Sequence, residues 1–215
     1  MADHPEGLFV VFEGGDGVGK STQARLLADW LTSQGREVVL TFEPGDTAIG
    51  ATLRDLVLNP AWGDVSPRAE ALMYAADKAQ HLYQLVLPAL RRGAVVICDR
   101  YVDSMLAYQG AGRVLEPHRV EQIARWATED LLPDLTVLLD LDPANGVADI
   151  AEKDRVEGAG PDFHVRAREF FLGLAASDAG HYLVLPARAP IEEIAAQVRA
   201  RIASLLSAPA GTVNP

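Results

Sequence analysis

Five short apolar runs, separated by longer segments with helical spacing, dominate the hydrophobic pattern of this chain. Several runs are continuous in Val, Ile and Leu rather than alternating, which is typical of strands covered on both faces. The predicted strands are residues 8–13, 38–42, 94–99, 135–141 and 182–185. The pattern therefore indicates a sheet that is buried between two layers.

The segments between these runs carry apolar residues at the spacing of one helix face. Ala24, Leu27, Ala28 and Leu31 show this spacing in the first segment, and Gly35 is expected to end that helix. The predicted helices are residues 21–34, 47–58, 67–92 with an end or kink at Pro88, 117–131, 162–177 and 190–206. Because strands alternate with helices, we expect an α/β fold with a five-stranded parallel sheet and helices on both faces.

The chain shows no internal repeat and no linker. Its 215 residues and hydrophobic fraction of 49% are sufficient for one domain with a sizeable core. We predict a single domain over residues 1–207 and a flexible tail over 208–215. Gly158 and Gly160 mark the most flexible interior stretch.

The net charge of −11 argues against a broad surface for nucleic acid or an anionic membrane. A phosphate ligand must then be held by a local cluster of Lys and Arg. Cys98 is the one cysteine, which excludes an intrachain disulfide and suits a reducing compartment. Residues 1–6 lack the basic start of a signal peptide, and no apolar run has the length of a membrane span, so we expect a cytoplasmic location.

A glycine-rich turn lies between the first apolar run and the first helical segment. Its spacing, Gly14, four residues and then Gly19-Lys20-Ser21, fits the Walker A phosphate loop. Glycines allow positive φ and bring backbone amides close to an anion, Lys20 is expected to reach the β- and γ-phosphates, and Ser21 to bind Mg²⁺. The predicted nucleotide-binding residues are Gly14, Gly15, Asp16, Gly17, Val18, Gly19, Lys20, Ser21 and Thr22. The alternative is a chance glycine turn, which the flanking strand and helix disfavour.

Polar residues follow two other predicted strands. Asp99 comes after four apolar residues, which is the Walker B form of a carboxylate that holds Mg²⁺. Asp140 is a rival, but Asp99 is favoured because Arg100 beside it suits a phosphate. After the second strand, Glu43-Pro44-Gly45 leaves the sheet edge where ligands bind, and Arg54 follows. A solvated surface arginine is the alternative for Arg54.

A polar and aromatic group follows Arg100. Tyr108 can pack on a sugar or ring, and Gln109 can pair with an amide-like base edge, with Ser104 and Gly110 near the same point. The alternative interpretation of these residues is an ordinary helix surface.

Together these motifs resemble the bacterial thymidylate kinase family, in the right order and over most of the chain. The phosphate loop is shared by many kinases, whereas Asp99-Arg100-Tyr101 with Tyr108-Gln109-Gly110 is much more specific. The resemblance implies a three-layer P-loop NTPase fold with a short lid at about residues 146–161. It also implies transfer of the γ-phosphoryl of ATP, with Mg²⁺, to thymidine monophosphate in dTTP biosynthesis, and a homodimer.

The resemblance assigns roles to residues of the acceptor site. Arg100 and Arg54 would hold the acceptor phosphate, Asp16 would lie near the 3′-hydroxyl, Tyr108 would pack on the deoxyribose, and Gln109 would contact the base. The predicted substrate-binding residues are Asp16, Glu43, Pro44, Arg54, Tyr74, Lys78, Arg100, Ser104, Tyr108 and Gln109. The alternative for Asp16 is simple turn chemistry, since Asp-Gly is a common turn pair.

The chain departs from the family in the base site and the neighbouring loop. Tyr74 and Lys78 stand where the family usually has Phe and Arg, which keeps the ring and a donor but loses the planar guanidinium. An ordinary amphipathic helix with a solvated lysine is the alternative. Phe42 and Asp46 replace the usual Arg and Gly, and the added carboxylate is unfavourable near a phosphate unless a cation offsets it.

The lid is the largest departure. Asp149 stands where the first lid arginine is usual, and the phosphate loop carries Val18 rather than an arginine. Arg155 matches the family's Asp-Arg-Ile/Val-Glu pattern, so we predict that Arg155, helped by Lys153, contacts the transferred phosphoryl. The predicted catalytic residues are Lys20, Asp99, Arg100 and Arg155. A salt-bridged surface turn is the alternative for Arg155.

Two other functions stay open at this point. One is a kinase for another nucleoside monophosphate or small metabolite. The pocket that suits a pyrimidine carbonyl edge would distinguish the two acceptors, and its residues are Tyr74, Lys78, Ser104 and Gln109. The other is a catalytically weak nucleotide-binding protein, which the altered lid would explain. The chain has no Asn-Lys-x-Asp guanine motif, which argues against a GTPase switch.

Overall fold

One five-stranded parallel sheet forms the centre of the protein in this computed structural model, which describes residues 7–113, 115–142 and 155–207. The strands lie in the order β2-β3-β1-β4-β5. Their bounds are β1 Leu8–Gly14, β2 Val38–Phe42, β3 Val95–Asp99, β4 Leu135–Asp140 and β5 Tyr182–Pro186. The predicted parallel sheet is confirmed, and each strand ends within one residue of its predicted bound.

Helices cover both faces of the sheet, as predicted. They are α1 Lys20–Ser33, α2 Ala48–Leu58, α3 Pro67–His81, α4 Leu87–Arg91, α5 Val102–Met105, α6 Pro117–Ala127, α7 Pro161–Ser177 and α8 Ile191–Ser207. Short 3-10 turns lie at Pro60–Trp62 and Glu157–Ala159, and π-helical segments at Leu82–Val86 and Leu106–Gly112. No helix of the described chain combines the length and the apolar character that a membrane crossing requires.

Alternate residues of the central strand enter two different cores. Phe9 and Val11 of β1 pack with α3 to α6 on one face. Val10 and Phe12 pack with α1 and α8 on the other face. Because neighbouring residues of a strand point to opposite faces, a continuous apolar run fills both layers.

The helix predicted over residues 67–92 is divided by a π-helical turn at Leu82–Val86. Pro88 has no N–H to bond to the carbonyl of Gln84, and its ring would collide with that carbonyl in a regular helix. The wider π-turn lies directly before the proline and relieves this conflict. The helix that follows, α4, then continues to Arg91.

Two other helical bounds differ from the sequence expectation. The helix predicted over 117–131 ends at Ala127, and Glu129 and Asp130 then adopt positive φ values of 49° and 56°. No helix bounds are predicted for the segment 102–112, for which a helix surface was only the alternative interpretation, but it forms α5 and a π-helical segment. Its glycines weaken the sequence signal for a helix. Gly112 is required by packing, because a Cβ there would lie 2.5 Å from the Phe163 ring.

The predicted tail at 208–215 and most of the predicted lid at 146–161 lie outside the described residues. The described part of the lid starts at Arg155 and leads through Glu157–Ala159 into α7.

Candidate active site

A cavity of about 670 Å³ opens where β1, β2 and β3 end. This is the edge at which parallel α/β sheets bind ligands. From the predicted nucleotide site the cavity is lined by Asp16, Gly17, Gly19, Lys20, Ser21 and Thr22. From the predicted acceptor site and the strand end after β3 it is lined by Glu43, Pro44, Arg54, Tyr74, Lys78, Asp99, Arg100, Ser104, Tyr108 and Gln109. Residues 90 positions apart in sequence therefore meet in one space.

The phosphate loop joins β1 to α1. Gly14, Gly17 and Gly19 have φ values of 131°, 71° and 94°, which disfavour any residue with a Cβ. Gly14 also lies against β4, where a Cβ would be 2.4 Å from the Leu139 carbonyl oxygen. Gly14, Gly15 and Val18 line a smaller pocket of about 40 Å³ behind the loop. The loop therefore has the backbone form that the predicted anion site requires.

Lys20, the first residue of α1, is 6% exposed. Its Nζ donates hydrogen bonds to the carbonyl oxygens of Gly14 at 3.2 Å and Gly15 at 2.5 Å. Burial and the nearby Arg100 lower the pKa of Lys20 to about 8, although Asp16 and other carboxylates oppose this shift. An anionic ligand would favour the charged ammonium.

Ser21 and Asp99, the two predicted magnesium ligands, are in direct contact. The Ser21 hydroxyl donates to Asp99 Oδ2 over 2.6 Å. A hydroxyl and a carboxylate at one open point fit the oxygen ligands that Mg²⁺ prefers. The rival Asp140 is instead held by Arg168, through Nε to Oδ1 at 2.7 Å and Nη2 to Oδ2 at 2.9 Å.

Arg100 turns back from the end of β3 towards the phosphate loop. Its φ of 71° is rare for a residue with a side chain, and such strain is typical of functional sites. Its Nη2 donates to Asp16 Oδ1 at 2.5 Å, and its Nη1 donates to Gly14 O and Ser104 Oγ, each at 3.0 Å. Burial alone would raise the pKa of Asp16, but the charges of Arg100 and Lys20 outweigh this and lower it.

Glu13 is a site residue that the sequence interpretation left without a role. It is fully buried, its Oε1 accepts from the backbone N–H of Tyr101 at 2.8 Å and of Ser104 at 3.1 Å, and its Oε2 accepts from Ser104 Oγ at 2.6 Å. The carboxyl group therefore caps the start of α5. Burial raises the pKa of Glu13, against the opposing effect of Arg100. A glutamate directly after the five apolar strand residues 8–12 was the available signal.

Glu43 anchors the loop after β2, which has a cis peptide bond between Glu43 and Pro44. The Lys78 ammonium pairs with Glu43 Oε2 and donates to Tyr101 O at 2.8 Å. His81 Nδ1 lies 2.7 Å from Glu43 Oε1. Burial would raise the pKa of Glu43, but the charge of Lys78 and the contact with His81 outweigh it and lower the pKa. Lys78 thus has a structural ion pair beside its predicted base contact.

The other residues of this loop that differ from the usual family pattern also contact neighbouring side chains. Asp46 Oδ2 accepts from Thr41 Oγ1 at 2.6 Å, so the added carboxylate is tied to β2. The Phe42 ring lies 5.8 Å from the Arg54 guanidinium carbon. Arg54 donates from Nη1 to Pro44 O at 2.7 Å, which places its guanidinium beside the cavity rather than free in solvent.

The aromatic and amide groups of the predicted acceptor site come from α3 and the segment 102–112. Tyr108 is 6% exposed, and its ring centroid lies 5.2 Å from the Arg100 guanidinium carbon. Gln109 is 1% exposed and donates from Nε2 to Glu70 Oε1 at 3.0 Å. Tyr74 is partly buried and lines the same cavity. Glu70 is a second buried carboxylate to which the sequence interpretation gave no role.

Arg155 does not line the cavity in this structure. Its Nη2 pairs with Glu70 Oε2 at 2.7 Å and donates to Val57 O at 2.7 Å. Arg155 therefore forms a salt bridge, as in the alternative interpretation, but a largely buried one rather than one at a surface turn, and the phosphoryl contact stays a prediction. Asp149 and Lys153 lie outside the described residues.

Comparison with known proteins identifies relatives of the whole chain. The thymidylate kinase family profile matches residues 12–198. The thymidylate kinase of Cutibacterium acnes is 58% identical over 94% of this chain and 98% of its own length, and that of Clavibacter michiganensis is 52% identical over 94% and 97%. A crystal structure of thymidylate kinase from Ehrlichia chaffeensis matches with a TM-score of 0.76 at 28% identity, over 92% of this chain and all of that one. By the family profile over residues 12–198 and relatives that are more than half identical over most of its length, this protein belongs to the thymidylate kinase family.

Proposed function

We propose that this protein transfers the γ-phosphoryl group of ATP to thymidine monophosphate and so forms thymidine diphosphate for dTTP synthesis. The observation that carries the proposal is the single cavity that connects the Ser21–Asp99 pair to the group of Arg100, Tyr108 and Gln109. A donor and an acceptor bound at these two ends would meet within one shared cavity. Close and oriented approach is the main requirement of phosphoryl transfer.

The loop after β1 would hold ATP. Its backbone amides and the start of α1 would face the β- and γ-phosphates, and Lys20 would exchange its bonds to Gly14 and Gly15 for phosphate oxygens. Ser21 and Asp99 would hold Mg²⁺, which supplies positive charge to the terminal phosphate oxygens. The acceptor oxygen is already anionic, so no strong general base is required.

Arg100 and Arg54 would hold the acceptor phosphate and lower its repulsion from the donor. Arg100 is preorganised for this by Asp16, Gly14 and Ser104. Asp16 would lie near the 3′-hydroxyl, Tyr108 near the deoxyribose, and Tyr74 and Gln109 near the base. The remaining acceptor-site residues are Glu43, Pro44, Lys78 and Ser104, of which Glu43 and Lys78 form a buried ion pair under the site.

Arg155 would reach the transferred phosphoryl after leaving its partners at Val57 and Glu70. The start of the described lid segment bonds to α2, through Arg155 N to Leu58 O at 3.1 Å, and Leu58 and Val156 both line the cavity. Arg155 is therefore within one residue of the cavity wall. Arg113 also pairs with Glu70, so the buried carboxylate would keep one cation after Arg155 moves.

A homodimer and a cytoplasmic location complete the proposal. Large apolar side chains are exposed on α3, the π-turn after it and α6, with Leu72 57%, Tyr83 76% and Trp126 83% exposed. A second copy of the chain would cover part of this surface. A buried free cysteine, Cys98, supports a reducing compartment.

The first test is ADP release from ATP and Mg²⁺ with a panel of nucleoside monophosphates. Turnover mainly with thymidine monophosphate is the expected result. Preference for another acceptor would contradict the proposed substrate but would still be consistent with a kinase reaction. Nucleotide binding without turnover on any acceptor would contradict the enzyme proposal and favour a binding protein.

A further inference from the structure

Glu70 is a fully buried carboxylate at the meeting point of three segments. Its Oε1 accepts from Gln109 Nε2 at 3.0 Å and from Arg113 Nε at 3.1 Å. Its Oε2 accepts from Arg113 Nη2 at 3.1 Å and pairs with Arg155 Nη2 at 2.7 Å. Two guanidinium groups compensate the buried charge, which is how a carboxylate is kept ionised away from water.

This ion cluster fixes the orientation of the Gln109 side chain. An ionised carboxylate can only accept hydrogen bonds, so the amide atom that faces Glu70 must be the nitrogen. The Gln109 Oε1 atom has no hydrogen-bond donor among residues 7–113, 115–142 and 155–207, and it is not sealed from solvent. Since Gln109 is 1% exposed and lines the cavity, its carbonyl oxygen is presented to the cavity as a free acceptor.

An amide held in one orientation can distinguish two base edges that a freely rotating amide cannot. Thymine and uracil carry an N3–H donor, whereas N3 of cytosine is an acceptor. An amide that can flip offers either its oxygen or its nitrogen at the same point and so accommodates both edges. An amide held with Oε1 towards the ring accepts from N3–H and meets the N3 lone pair of cytosine unfavourably.

We propose that Glu70 is a positioning residue that locks the Gln109 amide, so that the site selects acceptor bases with an N3–H group and rejects cytosine. Glu70 touches no substrate and acts through Gln109. The inference rests on the proposed function, because it needs Gln109 to face the base of a nucleoside monophosphate.

The test compares kcat/KM for dTMP, dUMP and dCMP in wild type and Glu70→Gln. The neutral amide at position 70 can face Gln109 with either atom, so the lock is lost. The ratio of dTMP to dCMP should then fall roughly tenfold to a hundredfold, the effect expected when one buried polar group is left without a partner. The ratio of dTMP to dUMP should stay within about twofold, because these bases share the N3–H edge and differ by one methyl group.

Two variants separate positioning from general stability. Arg113→Met removes one cation from Glu70 but keeps its bond to Gln109, so it should lower the melting temperature and leave both ratios unchanged. In a Gln109→Met background, Glu70→Gln should have no further effect on the dTMP to dCMP ratio, because the group that it positions is gone. If Glu70→Gln does not fold, Glu70→Asp keeps the charge for the arginines and withdraws it from Gln109.

The outcomes distinguish this inference from the proposed function. Equal losses for all three acceptors in the Glu70 variant, or an undiminished effect of the Glu70 substitution in the Gln109→Met background, would overturn the positioning role. Absence of wild-type turnover with dTMP, or no wild-type preference for dTMP over dCMP, would instead overturn the proposed function.

Discussion

The Ser21 hydroxyl donates a 2.6 Å hydrogen bond to the Asp99 carboxylate, although the two residues are 78 positions apart in sequence. The parallel pairing of β1 with β3 places Phe12 opposite Asp99, and the phosphate loop then returns the chain to Ser21 at the same sheet edge. Two oxygen-bearing side chains from different motifs therefore meet at one point, which makes their proposed role in metal binding testable.

Asp99→Asn should weaken Mg²⁺ binding, because the amide keeps an oxygen but loses the negative charge. We expect the Mg²⁺ concentration for half-maximal activity to rise at least about tenfold. The measurement is an activity titration with Mg²⁺ at saturating ATP. Glu121→Gln, which removes an exposed carboxylate from α6, is the control and should leave the titration unchanged. An unaltered Mg²⁺ requirement in Asp99→Asn would exclude Asp99 from the metal site.

Lys20→Met should change how stability depends on pH. The pKa of Lys20 is about 8 in the folded protein and near 10.5 when unfolded, so between these values the unfolded chain binds the additional proton. The contribution of Lys20 to the free energy of unfolding is therefore lowest below pH 8. It rises with pH, by about 3 kcal/mol in total up to pH 10.5. Urea unfolding of wild type and variant at pH 7 and pH 10 should show the wild type gaining relative to Lys20→Met, and a constant difference would contradict the shifted pKa.

Arg155→Ala distinguishes a phosphoryl contact from a structural salt bridge. If Arg155 leaves Glu70 to stabilise the transferred group, kcat should fall about a thousandfold while dTMP binding is little changed. Steady-state turnover and calorimetric dTMP binding together measure this. Arg113→Met is the matched control, since it removes the other Glu70 cation and should lower stability without a comparable loss of kcat. A lower melting temperature with nearly normal kcat in Arg155→Ala would support the structural alternative.

Asp103→Asn should stabilise the protein at neutral pH. Burial and the neighbouring Glu13 raise the pKa of Asp103 to about 7, while Tyr182 donates to its Oδ2 at 2.6 Å. The unfolded carboxyl loses its proton near pH 4, so its contribution to stability is fully present below that pH and is lost as pH rises towards 7. Asparagine keeps an acceptor for Tyr182 without a charge to bury. We expect a gain of about 4 kcal/mol at pH 7.5 that disappears near pH 4, measured by denaturant unfolding.

The sheet and the backbone form of the glycine-rich loop could be predicted because their signals are local. Apolar runs specify buried strands, and the spacing from Gly14 to Ser21 carries its own chemistry. Asp99 was distinguished from Asp140 by a single neighbour, Arg100. The structure adds a reason to favour Asp99 that was not available in the sequence, because Asp140 is already paired with Arg168.

The residues that support the site could not be predicted in the same way. Glu13 acts on backbone amides more than 85 positions away, and Glu70 gathers Gln109, Arg113 and Arg155 from two later segments. On a helix pattern, Glu70 is indistinguishable from a solvated glutamate. Its role follows from tertiary packing, as does the π-helical path that turns Tyr108 and Gln109 into the cavity.

The Glu13 carboxyl group joins the strand that leads into the phosphate loop to the first turn of the helix that follows Arg100. The proposed donor and acceptor ends are thereby tied together across two neighbouring strands, β1 and β3, and neighbouring strands lie about 4.8 Å apart. Movement of the proposed lid would then leave the relative position of these two ends unchanged. The rate of lid closure and the geometry of phosphoryl transfer would then depend on different parts of the molecule.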